Sequence, residues 1–440
     1  MLTQPWEHQK SDRENYNLRF NLKRFMLRIL IKFILLFVVV YACENKAVND
    51  EKYHLVLETI AKGDNIDYIW SHARTAIIPS DTPLIVTTTS KTLKKGSDVY
   101  HDLYELRSTD MGKTWSGPDV IESLKVYNDS NGYRSMADMW PQWHSGSQTV
   151  LNIGTAPFYT GNKTHDSSKK EITYAVYNPE SNCWGPPQKL NLPERDNDSL
   201  LLLAPAAGSA QWLELSNGDV LLPVFYFKIS DSLASVADKE TFSIKNLMNS
   251  NMYSFATTVL LCSFDGERLA YKRHGDELTL KQGRGIYEPS LACFKGTYYL
   301  TLRSDKSAYV TKSPDGLHFE PIKEWAFNDG TILGSYNTQQ HWVTNNDALY
   351  LVYTRKGADN DHVFRHRAPL FMAEVDVDKL QVIRNTEKIA VPNRGVDLGN
   401  FGVSYINENE TWITVAEYTR NEQNVDADNS IFISRIIWNR

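Results

Sequence analysis

The chain has 440 residues, with 47 Lys and Arg against 53 Asp and Glu and a formal net charge of −6. Its 42% hydrophobic content is enough to bury a core and excludes wholesale disorder, while the mild acidity gives no electrostatic reason to expect nucleic acid as a partner. Aromatic residues reach 12%, including 23 Tyr and 11 Trp, which favours many short half-buried strands over long Leu/Ala helices.

At the N-terminus, Lys23, Arg24, Arg28 and Lys32 precede an apolar run from Phe33 to Ala42, and Cys43 follows directly. Such a run is too short to span a bilayer comfortably and suits a signal peptide. Val40-Tyr41-Ala42-Cys43 resembles the bacterial lipobox, which implies cleavage before Cys43 and lipid on that cysteine. Residues 1–42 then read as an N-terminal extension plus signal, with Met26 as a candidate start, and 43–440 as the mature protein. The expected place is the bacterial cell envelope, as an outer-membrane lipoprotein facing the periplasm or the surface. An uncut membrane anchor is the alternative. Export implies an oxidising compartment, yet only Cys183, Cys262 and Cys293 remain, an odd number without metal-ligand spacing. They are expected in the core, with no disulfide framework, no metal and no cofactor.

Beyond Cys43 the one helical-looking stretch, Ser232 to Asn249, reads as an insertion. Runs of β-formers recur at Pro83–Thr89, Asp219–Phe227, Thr297–Leu302, Ala348–Tyr353 and Thr411–Ala416. Several follow tight-turn pairs, Asn217-Gly218, Lys295-Gly296 and Asn346-Asp347, so the fold class is all-β.

A repeat refines this. Ser108-Thr-Asp110-Met-Gly112-Lys-Thr114-Trp115 resembles the Asp-box of the sialidase superfamily, with looser copies at Ser313–Phe319 and Ser263–Gly266 and a worn one at Asn178–Trp184. The aspartate can cap turn amides and the glycine admits positive φ. The resemblance implies a sialidase-like β-propeller of about six blades of four strands, with seven as the alternative. Asp110 and Trp115 are structural punctuation in such a repeat.

Candidate site residues follow from the same resemblance, taken segment by segment. Arg74, in Ser71–Pro79, resembles the first arginine of the family. Asp98, shortly before the Asp-box, matches the acid/base, with Asp102 as the fallback. Glu288 and Arg303 stand fifteen positions apart, as in the family's Glu-to-Arg hairpin. Arg367, preferred over Arg365, resembles the third arginine, and Glu417 the acid that braces the first. Three guanidiniums at one point would clamp a carboxylate, because arginine offers a planar, always-charged fork of donors. Aligning the last hairpin on Glu417 puts Phe401 where the family has its tyrosine nucleophile; Tyr287, Tyr405 and Tyr418 are the other phenols. Without a nucleophile, Asp98 and Glu288 could act through water. Asp138, in the aromatic run Asp138–His144, could line a sugar-stacking rim.

Taken singly, these charges could be ordinary ion pairs between blades; their joint order and spacing singles them out. The function implied is exo-acting hydrolysis of a terminal acidic sugar, sialic acid or similar, from a glycan, by a monomer. Two other readings stand beside it. A uronate-specific propeller lyase would use His341, His144 or Tyr287 as base, and a glycan-binding surface lipoprotein would have lost its nucleophile.

Overall fold

The computed structural model describes residues 51–63, 67–94, 98–161, 169–193, 202–228, 254–345, 347–419 and 427–439. The lipobox and the helical-looking insertion at 232–249 both lie outside the described residues. The chain divides into Met1–Tyr53 with Asn439–Arg440, and His54–Trp438, which carries everything below. Among the described residues there is no α-helix, only three-residue 3-10 turns such as Glu122–Leu124.

Six antiparallel sheets follow one another along the chain. The first runs Tyr68–Ile78, Leu84–Leu93, Tyr100–Ser108, Ser116–Val120, and the second Ala137–His144, Thr149–Ala156, Glu171–Asn178, Cys183–Trp184. The third is Leu203–Ala206, Val220–Lys228, Ser254–Phe264, Leu269–His274, and the fourth Tyr287–Phe294, Thr297–Arg303, Ala308–Ser313, Lys323–Glu324. His341–Thr344, Leu349–Tyr353, Leu370–Asp376 and Gln381–Val382 make the fifth. The sixth joins both ends of the fold: Phe401–Asn407, Glu410–Ala416, Ile431–Trp438, then Tyr53–Ala61. A smaller sheet, Tyr127–Asp129, Gly132–Arg134 and Phe158–Tyr159, lies beside them.

The sheets hold together face to face. Val86 and Ala76 of the first pack with Met139, Val150 and Tyr177 of the second; Trp140 and Ile153 of the second pack with Val224 and Leu260 of the third. Leu221 and Val259 continue this to Leu291 and Leu300 of the fourth, and Val310 and Trp325 to Trp342 and Leu351 of the fifth. Ile85 of the first sheet meets Trp412 and Ile433 of the sixth. These strands are buried on both faces, so their sequences read as continuous apolar runs, and each such side chain contributes roughly 1.5–3 kcal/mol.

Turns between third and fourth strands repeat one device. Asp110 Oδ1 accepts from Thr114 N (2.9 Å), Asp265 Oδ1 from Arg268 N (2.7 Å) and Asp315 Oδ1 from His318 N (2.8 Å). Asn178 does this in the second sheet and Asp376, unnoticed in the sequence, in the fifth. Bonding to Thr114 holds the Asp110 carboxyl down at about 2. Gly112 turns at φ 79°, and the Trp115 indole N–H donates to its carbonyl (3.0 Å).

The cysteines correct the sequence reading. Cys262 is buried, but Cys183 and Cys293 are exposed. Cys183 begins a two-residue outer strand, and Cys293 falls beside the Lys295-Gly296 turn, where the alternation of side chains sends it outward.

Candidate functional site

Four inner strands open in the same way. The ladder to the second strand shifts between Ser71 and Arg74, Ala137 and Trp140, Leu203 and Ala206, and Tyr287 and Ser290. Inside each shift sits a left-handed residue that is not glycine: His72 (φ 54°), Asp138 (φ 55°), Ala204 (φ 44°) and Glu288 (φ 46°). That conformation costs such a residue roughly 1–3 kcal/mol and persists only where its surroundings over-determine it; a bulge also re-aims its side chain. Three of the four carry titratable groups to one place. His72 Nε2 lies 2.5 Å from Asp138 Oδ1, and the charges of Asp138 and Glu288 both act on Arg74.

Arg74 is 1% exposed and, among the described residues, forms no ion pair; its guanidinium donates to Ser209 Oγ (2.9 Å), Gln339 Oε1 (3.1 Å) and Met139 O (3.3 Å). It also lies 5.1 Å over the Trp140 ring. Burial lowers its pKa to about 10, against the opposing pull of Asp138 and Glu288. Arg303 is paired with Glu288, donates to Asn337 Oδ1 (2.7 Å), and rests 4.7 Å over Tyr287, its partner in the strand register. Burial alone would lower the pKa of Arg303, but Glu288 and Tyr287 outweigh it and raise it. Arg367 donates to Asp397 Oδ2 (3.1 Å) and, through Nε and Nη2, to the Asn337 carbonyl (3.2 and 2.5 Å).

All three arginines therefore meet one segment, Asn337 to Gln339, which leads into the inner strand of the fifth sheet. Two glycines make room for them. A Cβ on Gly399 would stand 2.6 Å from Arg367 Cδ, and one on Gly402 2.6 Å from Arg74 Cγ. Within this crowding the Nε donors of Arg74 and Arg303 are buried without a partner among the described residues.

The remaining expected residues fall as follows. Asp98 is left-handed (φ 56°) and half-buried; its carbonyl accepts from Tyr159 Oη (2.7 Å) and its charge acts on Tyr100, as does that of Asp138. Asp102 Oδ1 accepts from Val126 N (2.8 Å) and serves the chain turn there. Glu417, expected to brace Arg74, instead accepts from Ser430 N (3.1 Å) and lies 3.4 Å from Arg394. Its own burial raises its pKa. Phe401 is 0% exposed, opposite Val415 in the sixth sheet, with its ring 4.8 Å from that of His341.

The phenols of Tyr287 and Tyr100 are held protonated. Burial pushes Tyr287 up to about 12 and Tyr100 well above 10, and Tyr287 Oη donates to Asp305 Oδ1 (2.7 Å). Tyr405 is exposed, on the strand beyond Phe401. His341 is fully buried: Nδ1 faces Ser290 Oγ (2.6 Å), Nε2 faces Gln339 Oε1 (3.0 Å), and burial with Arg74 nearby holds it neutral. His144 is also buried, engaged by Ser147 Oγ and the Gly218 carbonyl (both 2.9 Å).

Sequence reasoning missed several members. Asn337 and Gln339 precede a strand as an unremarkable polar run. Arg284 donates to Asp305 Oδ1 (2.7 Å) and Tyr287 Oη (2.6 Å), and the Lys170 ammonium lies 4.7 Å over the Phe225 ring. Burial lowers Lys170 to about 8, countered by Glu288 and Asp138. Among the described residues no group of three or more His, Cys, Asp and Glu could hold a metal ion. The arrangement brings three buried guanidiniums onto one short segment, with Glu288 paired to Arg303 and Asp397 to Arg367.

The sequence matches no family model and no curated protein. Solved structures do match. A protein of unknown function from Dyadobacter fermentans is similar over 88% of this chain and 100% of its own, at 13% identity and a TM-score of 0.59. The Trypanosoma rangeli sialidase in complex with the inhibitor DANA is similar over 87% of this chain at 14% identity, TM-score 0.54, and the chain spans 59% of its length. For the NanB sialidase from Streptococcus pneumoniae the figures are 86% of this chain, 70% of that one, 10% identity and a TM-score of 0.56. At such identities the likeness establishes the fold, and this chain has a sialidase-like β fold.

Proposed function

We propose that this protein is an exo-acting glycoside hydrolase releasing a terminal acidic sugar, sialic acid or similar, from glycans. The observation that carries the reading is the convergence of Arg74, Arg303 and Arg367 on Asn337–Gln339. Asp98 serves as the acid/base and Glu288 orients Arg303; with Phe401 in the position of the nucleophile, the second acid works through water. The frame is a six-bladed propeller, supported by six successive sheets, each with a path of four neighbouring strands, of which the last unites both ends of the fold. In this reading Cys43 carries lipid and tethers a monomer to the outer membrane of a bacterial envelope.

The test is release of terminal acidic sugars from a glycan panel by wild type and Asp98→Asn. Lost turnover with retained binding supports the proposal; turnover that survives Asp98→Asn refutes the role of Asp98. A second reading, a glycan-binding protein without turnover, draws on the complete burial of Phe401. It predicts binding that is indifferent to Asp98→Asn. An unsaturated, UV-absorbing product would indicate a lyase, but both histidines that reading needs are buried and engaged.

A further inference from the structure

A cavity of about 320 Å³ lies toward the far end of the strands that carry the site, and the hydrolase reading does not use it. It is lined by residues 75–77 of the first sheet, 140–143 of the second, Trp342 and Thr344 of the fifth and 403–406 of the sixth. In each of these four places the residues of the three-arginine site come earlier in the chain: Arg74, Asp138, Gln339, and Gly402 packed against Arg74. A strand rises about 3.3 Å per residue, so Ile77 stands about 10 Å along from Arg74. Trp140 divides the two places: Arg74 lies 5.1 Å over its ring, and the same residue lines the cavity.

The chemistry of the cavity is the reverse of the clamp's. Charged residues make up 23% of the chain, yet among the described residues no Asp, Glu, Lys, Arg or His lines it. Aromatic side chains do: Trp143 is half-buried and Tyr405 is 64% exposed. Beside them the Gln142 amide, the Trp143 indole N–H and the Thr344 hydroxyl make no hydrogen bond among the described residues. The wall behind is fixed. Gln211 clasps Trp342, accepting from its backbone N (2.9 Å) and donating to its carbonyl (3.1 Å), and the Trp212 indole N–H donates to the Trp140 carbonyl (3.3 Å). A preformed concavity of this size, mostly apolar with a few open polar groups, is the usual form of a small-ligand site.

We propose that this cavity is a second carbohydrate site, which takes one or two uncharged pyranose units of a glycan. A pyranose offers a face of C–H bonds to an aromatic ring and a rim of hydroxyls to amide and hydroxyl partners, the set that Tyr405, Trp143, Gln142 and Thr344 present. An acidic sugar would lose hydration of its charge here without gaining a cation. The clamp and the cavity thus sort sugars by charge. That the ligand is a sugar rests on the glycan reading above; that it is uncharged rests on the lining alone.

The experiment is saturation-transfer NMR and titration calorimetry of the full chain with maltose, cellobiose and lactose as uncharged probes, and with sialic acid and 1-decanol beside them, in wild type, Tyr405→Ala and Gln142→Ala. Tyr405 is exposed, so its truncation tests the cavity while sparing the fold. Wild type should bind at least one disaccharide. Tyr405→Ala should weaken that binding about ten-fold and Gln142→Ala about five-fold, the scale of a stacked ring and of a hydrogen bond. No binding of any disaccharide, or binding unchanged in Tyr405→Ala, overturns the proposal. Decanol binding that falls in Tyr405→Ala while no disaccharide binds shows a site for apolar ligands and overturns the sugar class. Sialic acid should bind wild type and Tyr405→Ala alike; a loss in the variant would put the acid in the cavity and overturn its uncharged class. If a disaccharide binds as expected and sialic acid binds neither protein, the cavity stands and only the acidic-sugar reading is refuted.

Discussion

Gly402→Ala is the cleanest probe of whether Arg74 is truly confined, because it changes no charge and removes no hydrogen-bonding group. The new methyl would stand 2.6 Å from Arg74 Cγ, 3.1 Å from Cδ and 3.2 Å from Cβ. Ordinary carbon contacts are about 3.5–4.0 Å, so the stem must retreat by close to 1 Å. Arg74 cannot do so freely: its bonds to Ser209, Gln339 and Met139 are 2.9, 3.1 and 3.3 Å long, and a retreat of that size takes the longer two beyond bonding distance. Overpacking of this kind costs about 1–3 kcal/mol, measurable as a lower midpoint in urea. Binding of an acidic monosaccharide, followed by calorimetry on the folded variant, should weaken about ten-fold or more, since one arm of the clamp is displaced. Gly185→Ala is the control, as its Cβ would meet only the Val176 carbonyl at 3.5 Å, an ordinary contact. If Gly402→Ala unfolds and binds like wild type, Arg74 has slack and the crowded clamp is refuted.

Other perturbations separate packing from chemistry. Glu288→Ala strands Arg303, whose side chain is 8% exposed, and should lower stability by about 3 kcal/mol in urea unfolding; a loss well under 1 kcal/mol would mean the pair is not desolvated. Phe401→Tyr adds a hydroxyl to a fully buried ring, so it should destabilise by roughly 1–3 kcal/mol and bring no gain in turnover. A rise in turnover would mean that only the missing phenol limits the site. Lys170 gives a pH signature. Burial holds its folded pKa at about 8, below the ordinary lysine value of 10.5, so between those values the unfolded chain binds the extra proton and stability rises with pH. Lys170→Met should remove that rise from the wild-type profile of stability between pH 8 and 10; identical profiles would place the ammonium in water.

How much was legible depends on the range of the interaction. Strand runs, tight turns and the capped Asp110 turn are written locally: Thr297–Arg303 follows Lys295-Gly296 because those two residues accept positive φ (49° and 79°). The Asp376 turn uses the same chemistry without the surrounding motif, so its sequence passed as ordinary loop. Arg74, Arg303 and Arg367 were visible as residues from a resemblance, but not their partners. Glu417 was expected on Arg74, and the fold sets it on Arg394; Arg74 takes neutral acceptors from three other places in the chain.

By itself, then, the sequence determined the all-β class, the periodic turns and the acidic-site candidates, because alternation and turn preference act between residues a few positions apart. Only the tertiary structure decided which carboxylate neutralises which guanidinium. It also placed the bulges at His72, Asp138 and Glu288 around one site. Those outcomes depend on burial and on charges brought together from distant strands, and burial fixes what a charge is worth.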